Sequence, residues 1–592
     1  MPSLLTLFTF FRAALLASLS TGAQAESWYV VRIAGTPVGY LHETVETTDN
    51  GRVVTAQRSE IVINRLENRV EMANSAAFTE SSADGRLVEV RAEVRLSRNA
   101  TTTVATFADD GSARIVTAAG GREYPRDVPA GGIVIGPERI REVSRAGLAK
   151  AGDRVEYRTF VAERLAIETV ARAFEARDEI GLRVSESMTG QVPRTIWLDS
   201  DGRLARARDT SPLGEITIET ADETTALGAA RGGSLPEEMY DRTIVRANVR
   251  LPRSRDLDSL TVRMRLLDPS LGFPDGLERE GQRVVSRSKN ELVLRIERPA
   301  APAAGAPRVA PPRGEFLEPN GLLASDDAEV VRIAAEVAGA EKDAWRAALA
   351  LEKWVHENMG FDLGIVLAPA SEVARNRRGT CSGYAVFLTS LLRAAGVPSR
   401  FVMGFVYANG AFGGHAWTEV RLGGAWLPLD AAVHGPAPAG AGRIAFAAGS
   451  LESGTSEMNV AGQRLYGNVD IDVIEYVADG KRVAVPEGQP LFTIDGDRFA
   501  SPGLGLALRK PAGFAFEKAG AAWPDDTIVA MTDGETTVTL RQTEKIPEGA
   551  VAARAVTNGP DAFVLEARGP AKTAAEALEA VAATLAFTPS SP

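Results

Sequence analysis

Cysteine is almost absent from this chain: Cys381 is the only one in 592 residues, so no intrachain disulfide can form. Histidine is scarce as well, and His42, His356, His415 and His434 fit neither zinc-finger nor H-E-x-x-H spacing. Asp495-Gly496-Asp497 is too short for a calcium loop and reads as a turn. No metal and no cofactor is therefore expected. Acidic residues outnumber basic ones, 77 to 66, and no Lys/Arg block or basic-aromatic stripe interrupts the net charge of −11. That balance excludes nucleic acid as an expected partner. No apolar run reaches the roughly 20 residues a membrane helix needs, so no transmembrane helix is expected.

The N-terminus has a different logic. Arg12 supplies positive charge, Ala13 to Leu19 a short apolar core, and Ala23-Gln24-Ala25 a small-x-small cleavage site. Residues 1–25 thus read as a signal peptide, with a periplasmic or secreted destination. In such oxidising compartments structural cysteines come in pairs, so a lone cysteine points to reactivity.

Length implies several domains, because single cores stop growing near about 250–300 residues. Over residues 26–228, runs rich in Val, Ile, Thr and Tyr are separated by Asn50-Gly51, Asp84-Gly85, Asp110-Gly111 and Asp201-Gly202, which predicts a large antiparallel β domain. A further β segment, 236–298, is either an appended sandwich or part of that first domain. A Pro/Ala linker occupies 299–313. From 314 to 480 the apolar period becomes helical and then returns to strands. One helix is expected to be capped at Asp326, a second to run from about Lys342 to Met359, and a third to start at Cys381 and stop before Gly396 and Pro398. Residues 490–592 read as a small α+β domain.

The chemistry concentrates in the middle unit. Cys381 opens a helix, where free backbone N–H groups and the positive end of the helix dipole favour a thiolate and can also receive an oxyanion. Gly414-His415-Ala416-Trp417 and Leu429-Asp430 follow. Cys, His and Asp are a nucleophile, its base and the group that orients the base. If Gly423-Gly424 is a two-residue hairpin turn, residue 422 faces 425, which puts His415 and Asp430 on one face as diagonal neighbours. Glu419 shares that face but lies beyond Trp417. His434 precedes an irregular Gly-Pro loop, and His356 sits near a helix end, so both rank below His415.

These residues resemble the transglutaminase-like superfamily of papain-type thiol enzymes. The likeness spans about Ala324 to Gly449: two helices, Gly379-x-Cys381 opening a third that ends in Leu392-Arg393-Ala394-Ala395-Gly396-Val397-Pro398, then Gly404, His415-Ala416-Trp417-Thr418-Glu419-Val420 and Trp426-Leu427-Pro428-Leu429-Asp430. It implies an α+β fold with a papain-like core, catalytic Cys381, His415 and Asp430, and an acyl-thioester intermediate. The chain departs from the common pattern at Thr380, where an acidic residue is frequent, and at Ala431, where proline is. The function expected is cleavage of peptide or protein amides, with hydrolysis favoured over transfer to an amine. The competing expectations are a non-catalytic envelope scaffold carrying a relic site, and a purely structural envelope protein.

Overall fold

A computed structural model describes residues 25–587 except 66–67, 97–98, 189, 212, 236–243, 252–253, 303–313, 366, 453, 518–526, 544 and 559–560. The expected signal peptide, apart from Ala25, and most of the Pro/Ala linker lie outside the described residues.

Strands hold 48% of the described residues, which are mostly β, with most of their helical structure between 328 and 465. In the N-terminal region one antiparallel path of fourteen strands runs from 122–128 at one edge back to 25–33, then through 214–221 to 154–161 at the other edge. The predicted Asx-Gly turns form as their residue types require: Gly51, Gly85, Gly111 and Gly202 take φ of 69° to 80°, a region open to glycine at little cost. Alternation buries one face of each strand, giving apolar clusters around Val31, Ile61 and Met72 and around Phe78, Val90 and Ile115. Each such side chain contributes about 1.5–3 kcal/mol on burial.

Within segment 236–298, the described strands pair outside the large N-terminal sheet. Ser259–Leu266 pairs with Glu291–Glu297 on one side and with Val469–Ala478 on the other, and Ile244–Arg246 pairs with Ala411–Leu422. The cause is its inward row of Leu260, Val262, Met264 and Leu266, which closes over the helices of the middle unit in one shared core. Strand partners 165 to 218 residues downstream leave no local sign in the sequence.

The first of those helices starts one residue later than its sequence suggests. Asp327, not Asp326, accepts the Glu329 and Val330 N–H groups and caps Ala328–Ala338. Asp326 instead receives Arg122 at 2.8 Å and Tyr124 Oη at 3.1 Å, which ties a hairpin of the large sheet to the helical unit. The helices Ala344–Asn358 and Cys381–Ala394 pack side by side in the same core. Towards the C-terminus, strands Leu506–Arg509, Thr527–Thr532 and Thr537–Arg541 and helix Ala571–Ala582 enclose a separate apolar cluster.

Candidate active site

Cys381 is the first residue of its helix, and the side chain of the N-cap Thr380 does not cap the helix, so the first-turn N–H groups are left without a capping side chain. Gly379 makes the approach possible. A Cβ there would lie 3.3 Å from Gly383 Cα, inside the first turn of the same helix.

His415 comes from the strand Ala411–Leu422, which pairs along its length with Ser399–Ala408. Directly across from His415 is Gly404, where a Cβ would meet Ile444 O at 2.1 Å and the Trp417 ring at 2.6 Å. Glycine at 404 therefore lets Trp417 lie flat beside the imidazole, with ring centroids 6.1 Å apart and planes at 21°.

The Gly423-Gly424 turn sets the predicted register, with Leu422 opposite Ala425 and Thr418 opposite Leu429. The ladder stops there. Asp430 lies just past the last pair, so the pairing that would make it a diagonal neighbour of His415 within the ladder does not extend to it. Contact is made instead because the chain turns: Val433 N–H donates to Asp430 Oδ1 at 3.0 Å, and the other oxygen, Oδ2, accepts from His415 Nε2 at 2.8 Å. The remaining ring nitrogen, Nδ1, is the one left for Cys381, with which His415 shares a side-chain hydrogen bond. Three residues far apart in sequence are thus in direct contact, and all are buried, with Cys381 6%, His415 5% and Asp430 2% exposed.

The electrostatics follow from these contacts. Burial works against ionising the thiol, but the hydrogen bond and charge of His415 outweigh it and bring Cys381 down to about 7. Burial likewise opposes the imidazolium, and Asp430 overcomes it, raising His415 to about 9. Although buried, Asp430 is held well below the usual carboxylate range by His415 and Arg443. The favoured state is a thiolate beside an imidazolium. Tyr466 is buried near the thiol, and its hydroxyl donates to Gly404 O at 3.3 Å.

The lower-ranked candidates have other partners. Glu419 accepts from Arg279 at 2.7 Å and from Arg400 at 2.6 and 2.8 Å. His434 stacks on His356 at 4.7 Å, and His356 Nδ1 lies 3.0 Å from Ala431 O.

Two residues escaped the sequence reading. Arg443 donates to Asp430 Oδ2 through Nε at 2.9 Å and Nη2 at 2.7 Å, and Glu352 Oε1 accepts the Asp430 N–H at 2.8 Å. Glu352 had a signal: it falls on the stripe Ala348, Leu351, Val355, where a charge is out of place. Burial, followed by the Asp430 charge, pushes its carboxyl up to about 7, against the hydrogen bond from Asp430 N–H. A carboxyl raised above its unfolded value contributes stability that is complete below about 4.5 and is lost as pH rises through about 7. Glu352→Gln keeps the acceptor and removes the titration. Its stability relative to the parent is therefore expected to improve by about 3 kcal/mol between pH 4.5 and 8, read from urea unfolding at both pH values. A pH-independent difference would show that Glu352 does not titrate in this window.

Residues 331–431 match the family model described as the transglutaminase-like superfamily, so the chain carries a transglutaminase-like segment there. No curated protein matches the chain. Among solved structures it is similar to a provisionally named cysteine protease from Cytophaga hutchinsonii, at 16% identity and TM-score 0.25, over 39% of this chain and 84% of that one. A β-barrel-like protein with a domain of unknown function from Brucella abortus matches at 11% identity and TM-score 0.27, over 33% and 95% of the two chains. A provisionally named protease from Parabacteroides distasonis matches at 10% identity and TM-score 0.17, over 84% and 89%.

Proposed function

We propose that this chain is an exported thiol enzyme that cleaves amide bonds of peptides or proteins through an acyl-thioester. The observation that carries the reading is the unbroken contact from Cys381 to His415 to Asp430 at the start of a helix. In this mechanism the Cys381 thiolate attacks the amide carbon, and the first-turn N–H groups receive the developing oxyanion. His415, already protonated, gives its Nδ1 proton to the departing amine, which leaves the thioester. Water then enters, His415 takes its proton, and collapse of the second tetrahedral intermediate returns the thiolate and a carboxylic acid. Asp430 holds the ring so that Nδ1 faces the sulfur throughout. The 5–6% exposure of both reacting side chains implies that neighbouring groups, Tyr466 among them, shift to admit substrate.

Water and an amine compete for the same thioester. An amine wins only where it is deprotonated and shielded from solvent, and no dedicated amine tunnel is evident in the sequence. Hydrolysis is therefore expected to dominate. With an acyl donor that turns over, products formed in the presence of about 1 mM primary amine are weighed by mass spectrometry; mainly free acid supports a hydrolase, and mainly amine adduct makes the same residues a transamidase. If neither forms and Cys381 resists iodoacetamide in the native protein, the scaffold reading replaces the enzyme.

A further inference from the structure

Between the large sheet and the transglutaminase-like unit lies a cavity of about 210 Å³ that the reaction does not use. One wall is the inner face of the strands between Asn68 and Val128, and the other is formed by Glu315, residues 318–322, Leu367, Pro369, Leu451, Glu452, Gly454 and Thr455. The two walls meet through the Asp326 contacts to Arg122 and Tyr124.

The polar lining of this cavity combines three carboxylates with threonine hydroxyls, two asparagines, Tyr124 and Arg126. Glu315, Glu318 and Glu452 line it and are exposed, which places their carboxylates toward solvent. At the sheet wall stands Asn74, 8% exposed, whose Oδ1 is buried without a hydrogen-bond partner. A buried acceptor left empty costs about 1–3 kcal/mol, so this atom calls for a donor from a ligand. Two cations lie close by: Arg126, itself in the lining, donates to Leu165 O, and buried Arg393 donates to the carbonyls of Ser399 and Glu318 and is within electrostatic reach of Glu315, Glu318 and Glu452, so the three carboxylates exceed the two cations by one charge. The rest of the lining includes Val94, Ile115, Leu367 and Leu451. Acceptors combined with apolar walls suit a cation on an aliphatic stem, the build of a lysine or arginine side chain.

We infer that this interdomain cavity is a binding site for a basic side chain of a peptide, with the carboxylates attracting the cation and Asn74 Oδ1 accepting from it. The site is separate from the thiol. Cys381, His415 and Asp430 are not among its lining residues.

Taking the ligand to be a peptide rests on the thiol-enzyme reading, whereas the binding measurement does not, because it uses the full-length Cys381→Ala chain and needs no turnover. The probe is acetyl-Ala-Ala-Lys-Ala-Ala-amide, with an arginine version and a control bearing norleucine in place of lysine, titrated by calorimetry. Both basic peptides are expected to bind at least tenfold more tightly than the control. The Glu315→Gln, Glu318→Gln, Glu452→Gln triple variant should bring them to the control's affinity, and Asn74→Leu should weaken them at least fivefold while thermal stability stays level or rises. Equal affinity for lysine and norleucine peptides, no binding of any peptide at millimolar concentration, or a lysine preference that survives the triple substitution would each overturn the inference.

Discussion

Cys381→Ala and His415→Ala are each expected to lower amide turnover by at least about 10⁴-fold, and the double variant to be little worse than either, because nucleophile and base act as one unit. The chain should stay folded, since both changes shorten side chains in a core whose other contacts remain, and a loss beyond about 3 kcal/mol would mean that the residues are structural first. The parent's pH profile carries a second expectation. Thiolate forms as pH passes about 7 and imidazolium is lost near 9, so kcat/KM should rise through the first value and fall through the second. Iodoacetamide alkylation should follow the lower limb. A rate that climbs only above pH 8.5, as for an ordinary thiol, would dismiss the ion pair and with it the proposed mechanism.

What could be read in the sequence was what local physics dictates. The Gly423-Gly424 hairpin fixes the register from Leu422 opposite Ala425 to Thr418 opposite Leu429, with φ of 60° and 89° at the two glycines. The helix opened by Cys381 is bounded by its own apolar period and by Gly396 and Pro398. The ladder's early end at Leu429 could not be read the same way, because it depends on Asp430 turning to meet three partners from elsewhere in the chain.

Those partners mark where local reasoning stops. Arg443 approaches from the strand Arg443–Gly449, which pairs with the strand opposite His415, and Glu352 from a helix 78 residues before Asp430. The same limit applies to strands Ile244–Arg246 and Ser259–Leu266, whose places are set by the strand that carries His415 and by one that follows the active-site residues in sequence. A charged residue inside an apolar stripe, as at Glu352, is the one local sign that such a partner exists, since burying it alone would be prohibitive.

The shared carboxylate makes the second large effect a matter of charge balance. Asp430→Asn is expected to lower kcat by about 10³–10⁴-fold, because an amide no longer fixes the ring or stabilises its cation. It should also cost about 3–5 kcal/mol of stability, since the guanidinium of Arg443, 5% exposed, is left buried without its counter-charge. Arg443→Met reverses the imbalance. Asp430 then directs its whole charge to His415, so the imidazolium is held more tightly and the alkaline limb of the pH profile moves above about 9, while activity falls less, by about tenfold. Stability again drops, because the buried carboxylate has lost one of its two cationic partners. Combining the two substitutions removes both charges, and much of the stability should return while activity does not. Urea unfolding of the four proteins closes the cycle. Strict additivity of the two losses, or an alkaline limb unmoved in Arg443→Met, would show that Arg443 packs beside the site without sharing the charge of Asp430.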